Sequence, residues 1–474
     1  MIGAGQKARP VSRESTLLAG STRFSRLTGV SGRNFSPRDH LLSETIFALA
    51  SGAGLSAIAV IRASGPQADE VLAKLCGDLP EARRASLRKL HHPSSGELLD
   101  EALVLRFGAG ASFTGEPSFE LQTHGGLAVI EGVLEALGHC AGARMAEPGE
   151  FARRAYLNGR LDLTSAEGLA DLIEARTRSQ RDQALALAGG HLRAQAERWR
   201  GELLELQAQL EAEIDFSDEG DVPEDVTRGF ELKVASLRHS MKAALEDARR
   251  GEVLRQGFTV VLAGRPNAGK SSLMNALARR EVAIVSATPG TTRDVIEVTL
   301  NLDGVPVVLV DTAGLRDSGD EVEQEGIRRA RARAESADLV LWLVGPGEAE
   351  SEPRLGDVPL WRIATKSDLG GFDSDSKRII SVRTGEGVSE LLSDLSVFAR
   401  QSLRPDEPAL ISRERHRQAL AQALECLSRI RPDLPLEVCA EELRLAARAL
   451  SSLIGLVGPE DVLGEIFGRF CIGK

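Results

Sequence analysis

The sequence predicts a multidomain α/β chain: an N-terminal α+β domain, a helical domain in two pieces, and an α/β domain inserted between the pieces. Three observations predict this. Short apolar, β-branched runs separated by turns fill residues 42–159. Apolar residues recur at spacings of three and four on both sides of residues 256–402. Within that interval a strand–loop–helix pattern carries the spacing GxxxxGK[ST]. A chain of 474 residues exceeds one hydrophobic core and accommodates about three.

Composition narrows the class. Hydrophobic residues make up 42% and charged residues 27%, values of an ordinary globular protein. No run approaches about 18 uninterrupted apolar residues, so no membrane span and no membrane partner is expected. The formal net charge of −11 argues against a broad basic surface that clamps nucleic acid by itself. RNA presented by a partner stays compatible with it. None of Cys76, Cys140, Cys426, Cys439 and Cys471 forms a CxxC pair, which speaks against a zinc site or disulfide framework and fits a reducing cytoplasm. Residues 1–41 are rich in Ser, Gly and Arg, with Glu14 and Asp39 the sole acids. They read as a disordered or misannotated bacterial extension, or alternatively as a transit peptide that would direct the chain to mitochondria.

Ordered sequence begins near Thr45. TIFALA, AIAVIR ending at Arg62, EALVLRF (101–107) and SFELQ (118–122) read as strands of the first domain. From residue 160 the period becomes helical. Leu203, Leu206, Leu210 and Ile214 share one helix face, as do Leu436, Ala440, Leu443, Ala447, Leu450 and Ile454. Both stripes read as helix–helix core, giving helical pieces at 160–255 and 403–474. The acidic stretch 211–225 reads as a solvated loop.

The inserted domain carries the chemistry. The strand-like FTVVLA leads into Gly264-Arg-Pro-Asn267-Ala268-Gly269-Lys270-Ser271-Ser272 and a helix. Glycines let backbone N–H groups wrap phosphates, Lys270 adds charge near the β and γ phosphates, and the Ser271 hydroxyl suits Mg²⁺. Asp311-Thr312-Ala313-Gly314 follows the strand-like VPVVLV, where an acid can hold Mg²⁺ through water. Between them Ser286-Ala287-Thr288-Pro289-Gly290-Thr291-Thr292 reads as a segment that senses the γ-phosphate. Thr365-Lys366-Ser367-Asp368 supplies a carboxylate that accepts two N–H groups of a guanine edge, which adenine does not offer. Ser381-Val382-Arg383 stands where a loop supports the base oxygen. Together these motifs predict a P-loop GTPase domain. Leu315 occupies the position of the water-orienting Gln of Ras-like proteins, so assistance to hydrolysis must come from elsewhere, and the acidic stretch DSGDEVEQE lies just downstream.

These motifs, with IAVIRASGP, SFTGEPSFELQTHGG, RMAEPGEFARRAYLNGRLDLTSAEGLADLIEA and the terminal FCIGK, closely resemble the MnmE (TrmE) family of tRNA-modification GTPases. The resemblance covers all but the N-terminal tail. It implies a folate-binding-like dimerisation domain at 42–159, a discontinuous helical domain and an inserted G domain. It implies a homodimer that joins an FAD- and NADH-dependent partner of the MnmG (GidA) type in a heterotetramer, and together they modify C5 of the tRNA wobble uridine. The implied contacts of a tetrahydrofolate derivative, 5-formyl- or methylene-, fall on Arg62, Glu120, Arg160 and Lys474. The implied K⁺ positions are Asn267, Ser286, Thr288 and Thr291, and those for Mg²⁺ are Ser271 and Thr292. The family's catalytic glutamate falls on Glu323, and its tail cysteine on Cys471.

The chain departs from the family pattern in three places. Thr365 replaces Asn, Arg160 stands where Lys is common, and SGAGLSA (51–57) lacks a Pro- and Gly-rich loop. Blander roles stay open for three residue sets: Arg62 with Glu120 as a surface ion pair, Asn267 as a brace of the phosphate loop, and Cys471 as an inert thiol. An Era- or Der-like ribosome-assembly switch shares the TPGTTRD segment, but lacks the folate-like domain and the CIGK tail.

Overall fold

The structure is a computed structural model that describes residues 42–215 except 53, 224–280, 297–311, 331–347, 355–371, 378–404 and 409–456 except 432. It also describes single positions 328 and 353 and the tail positions 466–468, 470 and 473. The expected extension at 1–41 lies outside these residues.

The first domain is a six-stranded sheet. β1 (Thr45–Leu49) and β2 (Ile58–Ser64) pair antiparallel, and β3 (Ser86–His91), β4 (Leu98–Phe107) and β5 (Ser118–His124) complete the antiparallel part. β6 (Ala143–Met145) adds parallel to β1, giving the order β3-β4-β5-β2-β1-β6. α1 (Ala68–Cys76) and α2 (Leu127–Gly138) cover one face, where Phe47, Ile61, Phe119 and Leu121 meet Leu72 and Leu137. Burial alternates along β2 as the period of two requires, which sends Ile61 into the core and Arg62 to the opposite face.

α3 (Glu150–Leu157) leads to the helical domain of α4 (Leu163–Glu174), α5 (Arg178–Ala188), α6 (His191–Asp215), α7 (Glu224–Glu246) and α8 (Ala248–Gln256). Its second piece is α11 (Glu414–Arg429) and α12 (Leu436–Leu453). Leu203, Leu206 and Leu210 of α6 and Leu443, Ala447 and Leu450 of α12 share one core, so the two pieces form a single domain. The solvated loop expected over 211–225 is corrected at its two ends: α6 continues through Asp215 and α7 begins at Glu224, while 216–223 lie outside the described residues. Acids at the end of α6 do not stop a helix whose leucine face is buried.

The inserted domain is a second six-stranded sheet. It comprises β7 (Phe258–Gly264), β8 (Glu297–Leu302), β9 (Val305–Asp311), β10 (Leu339–Val344), β11 (Leu360–Ala364) and β12 (Arg378–Ile379) in the order β12-β11-β10-β7-β9-β8. All neighbours are parallel except the β8–β9 hairpin. α9 (Lys270–Arg280) follows β7, and α10 (Val388–Leu403) packs Leu391, Leu395 and Ala399 into the sheet core. β10 is buried throughout, as expected of a strand covered on both faces. The strand order reverses at β7, flanked by β10 and β9, and open α/β sheets bind ligands at the carboxyl ends of strands at such a point.

Candidate functional site

The phosphate loop lies at that switch point, between β7 and α9. Gly264 closes the strand where a Cβ would sit 2.4 Å from the Leu343 carbonyl oxygen, so no side chain fits there. Asn267 adopts a positive φ of 65°, which an Asn tolerates better than a bulky residue. Lys270, buried at the start of α9, donates to the carbonyls of Gly264 and Arg265, each at 2.9 Å, and so arches back over the loop. The first-turn N–H groups of α9 have no partner within their helix and face a dipole that favours anions.

The Ser271 hydroxyl donates to Asp311 Oδ2 at 2.6 Å, joining the helix start to the end of β9. Asp311 Oδ1 is buried without a hydrogen-bond partner among the described residues. A hydroxyl and a carboxylate with a spare buried lone pair form an oxygen donor set that suits Mg²⁺.

The base-reading side is built by β11 and the loop after β12. Thr365 is buried, and its hydroxyl donates to the Ala268 carbonyl at 2.7 Å. That bond ties the guanine-reading loop to the phosphate loop, so Thr365 supplies the brace within the protein. Lys366 takes a positive φ of 61°, which turns the chain into a 3₁₀ turn at Ser367–Leu369. Asp368 Oδ1 accepts from the Ser381 hydroxyl at 2.6 Å, and its Oδ2 faces Arg383 at 2.8 Å. The Ser381 hydrogen bond, then Arg383, hold the Asp368 carboxyl below the usual carboxylate range, so it is a fixed acceptor at neutral pH. Ser381 is fully buried, Val382 packs on the sheet core and Arg383 is exposed. Ser272 is exposed on α9.

The motifs did not mark Glu386 or Arg280. The Ser367 hydroxyl donates to Glu386 at 2.7 Å, and Arg280 at the end of α9 donates to Ser389 and to the Gly385 carbonyl. These residues fasten the base-reading loops to each other and to α9. No sequence motif carries them.

The first domain holds the second cluster. Arg62 and Glu120 are cross-strand partners on β2 and β5, joined by a bond of 2.9 Å from Arg62 Nε. The Arg62 guanidinium also lies over Phe113 and Phe151, at 5.7 and 5.9 Å from the ring centroids. Phe113 rides on a loop fixed by Glu116, which accepts from Ser64 at 2.8 Å and from the buried Arg154 at 3.2 Å. The stem of Arg160 covers the same loop, 3.2 Å from where a Cβ on Gly115 would stand.

The carboxy-terminal tail reaches this domain. Phe467 and Phe470 are buried with Ala152 and Leu163. A Cβ on Gly473 would stand 2.2 Å from the Leu49 carbonyl, so the tail backbone runs against β1, whose Leu49 pairs with Ile61 beside Arg62. Ser286 to Thr292, Thr312 to Gly314, Leu315, Glu323, Cys471 and Lys474 lie outside the described residues. The structure therefore brings together Asn267 to Ser271, Asp311, Thr365 to Asp368 and Ser381 to Arg383 in one place, and Arg62, Glu120 and Arg160 in another.

Fold and site define a phosphate-loop GTPase domain set into a helical domain, behind an α+β domain. Family models match along most of the chain: the TrmE N-terminus of GTP-binding proteins over residues 45–160 and the MnmE helical domain over 163–471. The chain belongs to the MnmE (TrmE) family. The tRNA modification GTPase MnmE of Beijerinckia indica is 52% identical, covering 91% of this chain and 96% of that one. That of Rhodopseudomonas palustris is 51% identical over 92% of this chain and 100% of its own. Among solved structures, the G domain of the T. maritima FeoB iron transporter aligns with 25% identity and a TM-score of 0.24, over 30% of this chain and 98% of that one. The chain is thus a GTP hydrolase of the tRNA-modification GTPases, using GTP with Mg²⁺. Among the described residues no helix is long and apolar enough to cross a membrane.

Proposed function

We propose that this protein is a K⁺-activated, homodimeric GTPase of the cytoplasm that drives addition of a carboxymethylaminomethyl-type group to C5 of the tRNA wobble uridine. It works in a heterotetramer with an FAD- and NADH-dependent flavoprotein of the MnmG type, which brings the tRNA. The first domain holds a 5-formyl- or methylene-tetrahydrofolate as the one-carbon source.

In the G domain the loop 267–272 binds the phosphates, Asp368 reads the base, and Ser271 with Thr292 and Asp311 holds the metal. Mg²⁺ there neutralises charge on the β and γ phosphates. K⁺ near Asn267, Ser286, Thr288 and Thr291 would supply positive charge where it develops in the transition state, and Glu323 would orient the attacking water where Leu315 cannot.

The seating of the tail carries the folate half of this reading. Gly473 runs against β1, one strand from the Arg62–Glu120 pair. Glu120 suits the N–H groups of a pterin edge, and Arg62, Arg160 and Lys474 suit its carbonyl and the glutamate carboxylates. On this reading Cys471, two residues before Gly473 in sequence, stands close to the one-carbon unit. Deleting residues 471–474 tests the reading: calorimetry should show weakened 5-formyl-tetrahydrofolate binding, and nucleoside analysis should show unmodified wobble uridine, while GTP hydrolysis persists. Equal folate affinity in the full-length and truncated proteins would refute it.

A further inference from the structure

The G domain joins the helical domain covalently at Gln256–Gly257 on entry and between Arg404 and Ala409 on exit. Beside these links α8 packs Leu254 into the G-domain core and pairs Arg249 with Asp338 at 3.5 Å. A further contact lies at the turn of the β8–β9 hairpin, which rests on the first turn of α5. The Ser179 amide donates to the Gly304 carbonyl at 3.1 Å, and the Ser179 hydroxyl donates to the same oxygen. Arg176 donates to Thr299 Oγ1 of β8 at 3.4 Å. The turn is equally fixed to its own domain, since Ser396 donates to the Asp303 carboxylate at 2.5 Å and Arg400 to the Asp303 carbonyl at 2.9 Å.

α5 holds the other two attachments as well. Gln180 Nε2 donates to the Arg255 carbonyl at 2.9 Å. Gln183 Nε2 donates to the carbonyls of Gly251, at 3.0 Å, and Ala409, at 2.8 Å. One short helix, with its own Thr177–Gln180 capping box, therefore touches the hairpin turn and the segments at both covalent links.

The hairpin is the connection that leads to the nucleotide. β8 begins at Glu297, separated from the TPGTTRD segment by two residues, and β9 ends at Asp311, bonded to Ser271. Six paired residues at about 3.3 Å each set the Gly304 turn roughly 20 Å from that end. A paired hairpin resists sliding between its strands, so movement at one end is carried to the other. A cavity of about 630 Å³, lined by Asp171, Arg176, Gln180, Arg255 and Thr299, leaves room beside it for the hairpin to shift. Beyond α5, α4 carries Glu167 onto Arg415 of α11 and Asp171 onto Arg413 just before it, and its Leu163 packs against Phe467 and Phe470 of the tail.

We infer that Ser179 is a positioning residue through which the helical domain senses the nucleotide state of the G domain by way of the Gly304 turn. The inference rests on guanine-nucleotide binding alone and not on the folate or flavoprotein reading. Its test is hydrogen exchange on the full-length protein with GDP or with a non-hydrolysable GTP analogue. Amide exchange in residues 178–188 should differ between the two states by about fivefold or more, the scale of an ordinary coupling between sites. Ser179→Asp keeps a good first-turn residue for the helix but sets a carboxylate against the Gly304 carbonyl. It should reduce that difference to below about twofold, while both nucleotides still protect the phosphate loop. Ser179→Ala loses only the hydroxyl and should fall between, which covers the case of a destabilised Asp variant. Identical exchange of α5 in the two wild-type states overturns the inference, and so does a difference that survives undiminished in both variants.

Discussion

Thr365 is where the guanine-reading and phosphate-binding halves of the G site are joined. Its hydroxyl donates to the Ala268 carbonyl at 2.7 Å and lies 3.3 Å from the Val344 carbonyl, in a position almost closed to water. Thr365→Val keeps the shape and removes the donor. The Ala268 carbonyl is then left without that partner, a loss of about 1–3 kcal/mol for a buried polar group. Ala268 sits within the phosphate loop, so the loop must shift or lose its anchor where the nucleotide binds. If the full loss falls on the bound state, the Kd for GDP rises between about fivefold and about 150-fold. Stopped-flow titration with a fluorescent guanine nucleotide measures it, and Thr365→Ser, which restores the hydroxyl, should return the affinity to within about twofold of wild type. An unchanged Kd in the Val variant, accompanied by a lowered melting temperature, would refute the reasoning. It would show that the bond supports the fold without positioning the loop.

Three further outcomes follow from the geometry. Asp368→Asn replaces one acceptor of the pair with a donor, so guanine nucleotides should bind about tenfold or more weakly and xanthine nucleotides more tightly, as competition titrations would reveal. Hydrolysis should run faster in KCl than in NaCl at equal ionic strength, and equal rates would remove K⁺ from the site. The third outcome is a pH dependence of stability. His416 is fully buried, its Nε2 lies 2.8 Å from Glu167 and its Nδ1 has no partner among the described residues. Burial lowers its pKa against the pull of Glu167, and the Arg415 and Arg413 charges add to the lowering. The folded state thus keeps His416 neutral while the unfolded chain protonates it below about pH 6.5. Stability should be intact above that pH and fall below it, by up to about 1.4 kcal/mol per pH unit. Glu167 acts lower: burial opposes its ionisation, yet His416 and Arg415 hold its carboxyl well below the usual range, so its contribution is lost only in stronger acid. His416→Gln keeps a donor toward Glu167 and should flatten the melting-temperature profile between pH 5 and 6.5. A profile unchanged by that substitution would mean that His416 binds its proton equally in the folded and unfolded states, and would refute the argument.

The phosphate loop was legible because its ligand dictates it. Backbone N–H groups, one ammonium and one hydroxyl must converge on a few oxygens, which forces Gly, Lys and Ser into fixed spacing, and Gly264 to Ser271 meet that demand. The leucine stripes of α6 and α12 were legible for the corresponding reason, a helix period with one buried face. The Thr365–Ala268 bond was not, because 97 residues separate its partners and only the parallel sheet brings them together. No motif or period marks Gln183, which is nevertheless buried and bridges two carbonyls. Arg154, Glu150 and Glu116 mislead more strongly. Charges are the residues least expected inside, yet Arg154 is among the most buried side chains and is fully engaged by its two acids and the Glu44 carbonyl.

Gln183 also explains how a whole domain can interrupt another. An insertion is tolerated when its two ends leave and re-enter the host at neighbouring points, since the host core then needs no rearrangement. Here one side-chain amide reaches the carbonyls of Gly251 and Ala409, so the helix that leads into the insertion and the segment that returns from it lie side by side. The host core of α6, α11 and α12 packs as if the insertion were a surface loop. At these links the G domain is also held by α8, whose Leu254 packs into the G-domain core and whose Arg249 pairs with Asp338 at 3.5 Å. The Ser179–Gly304 contact adds a restraint at the turn of the β8–β9 hairpin. That hairpin ends at Asp311 beside Ser271, so on the inference above it is the attachment through which bound nucleotide biases the host domain.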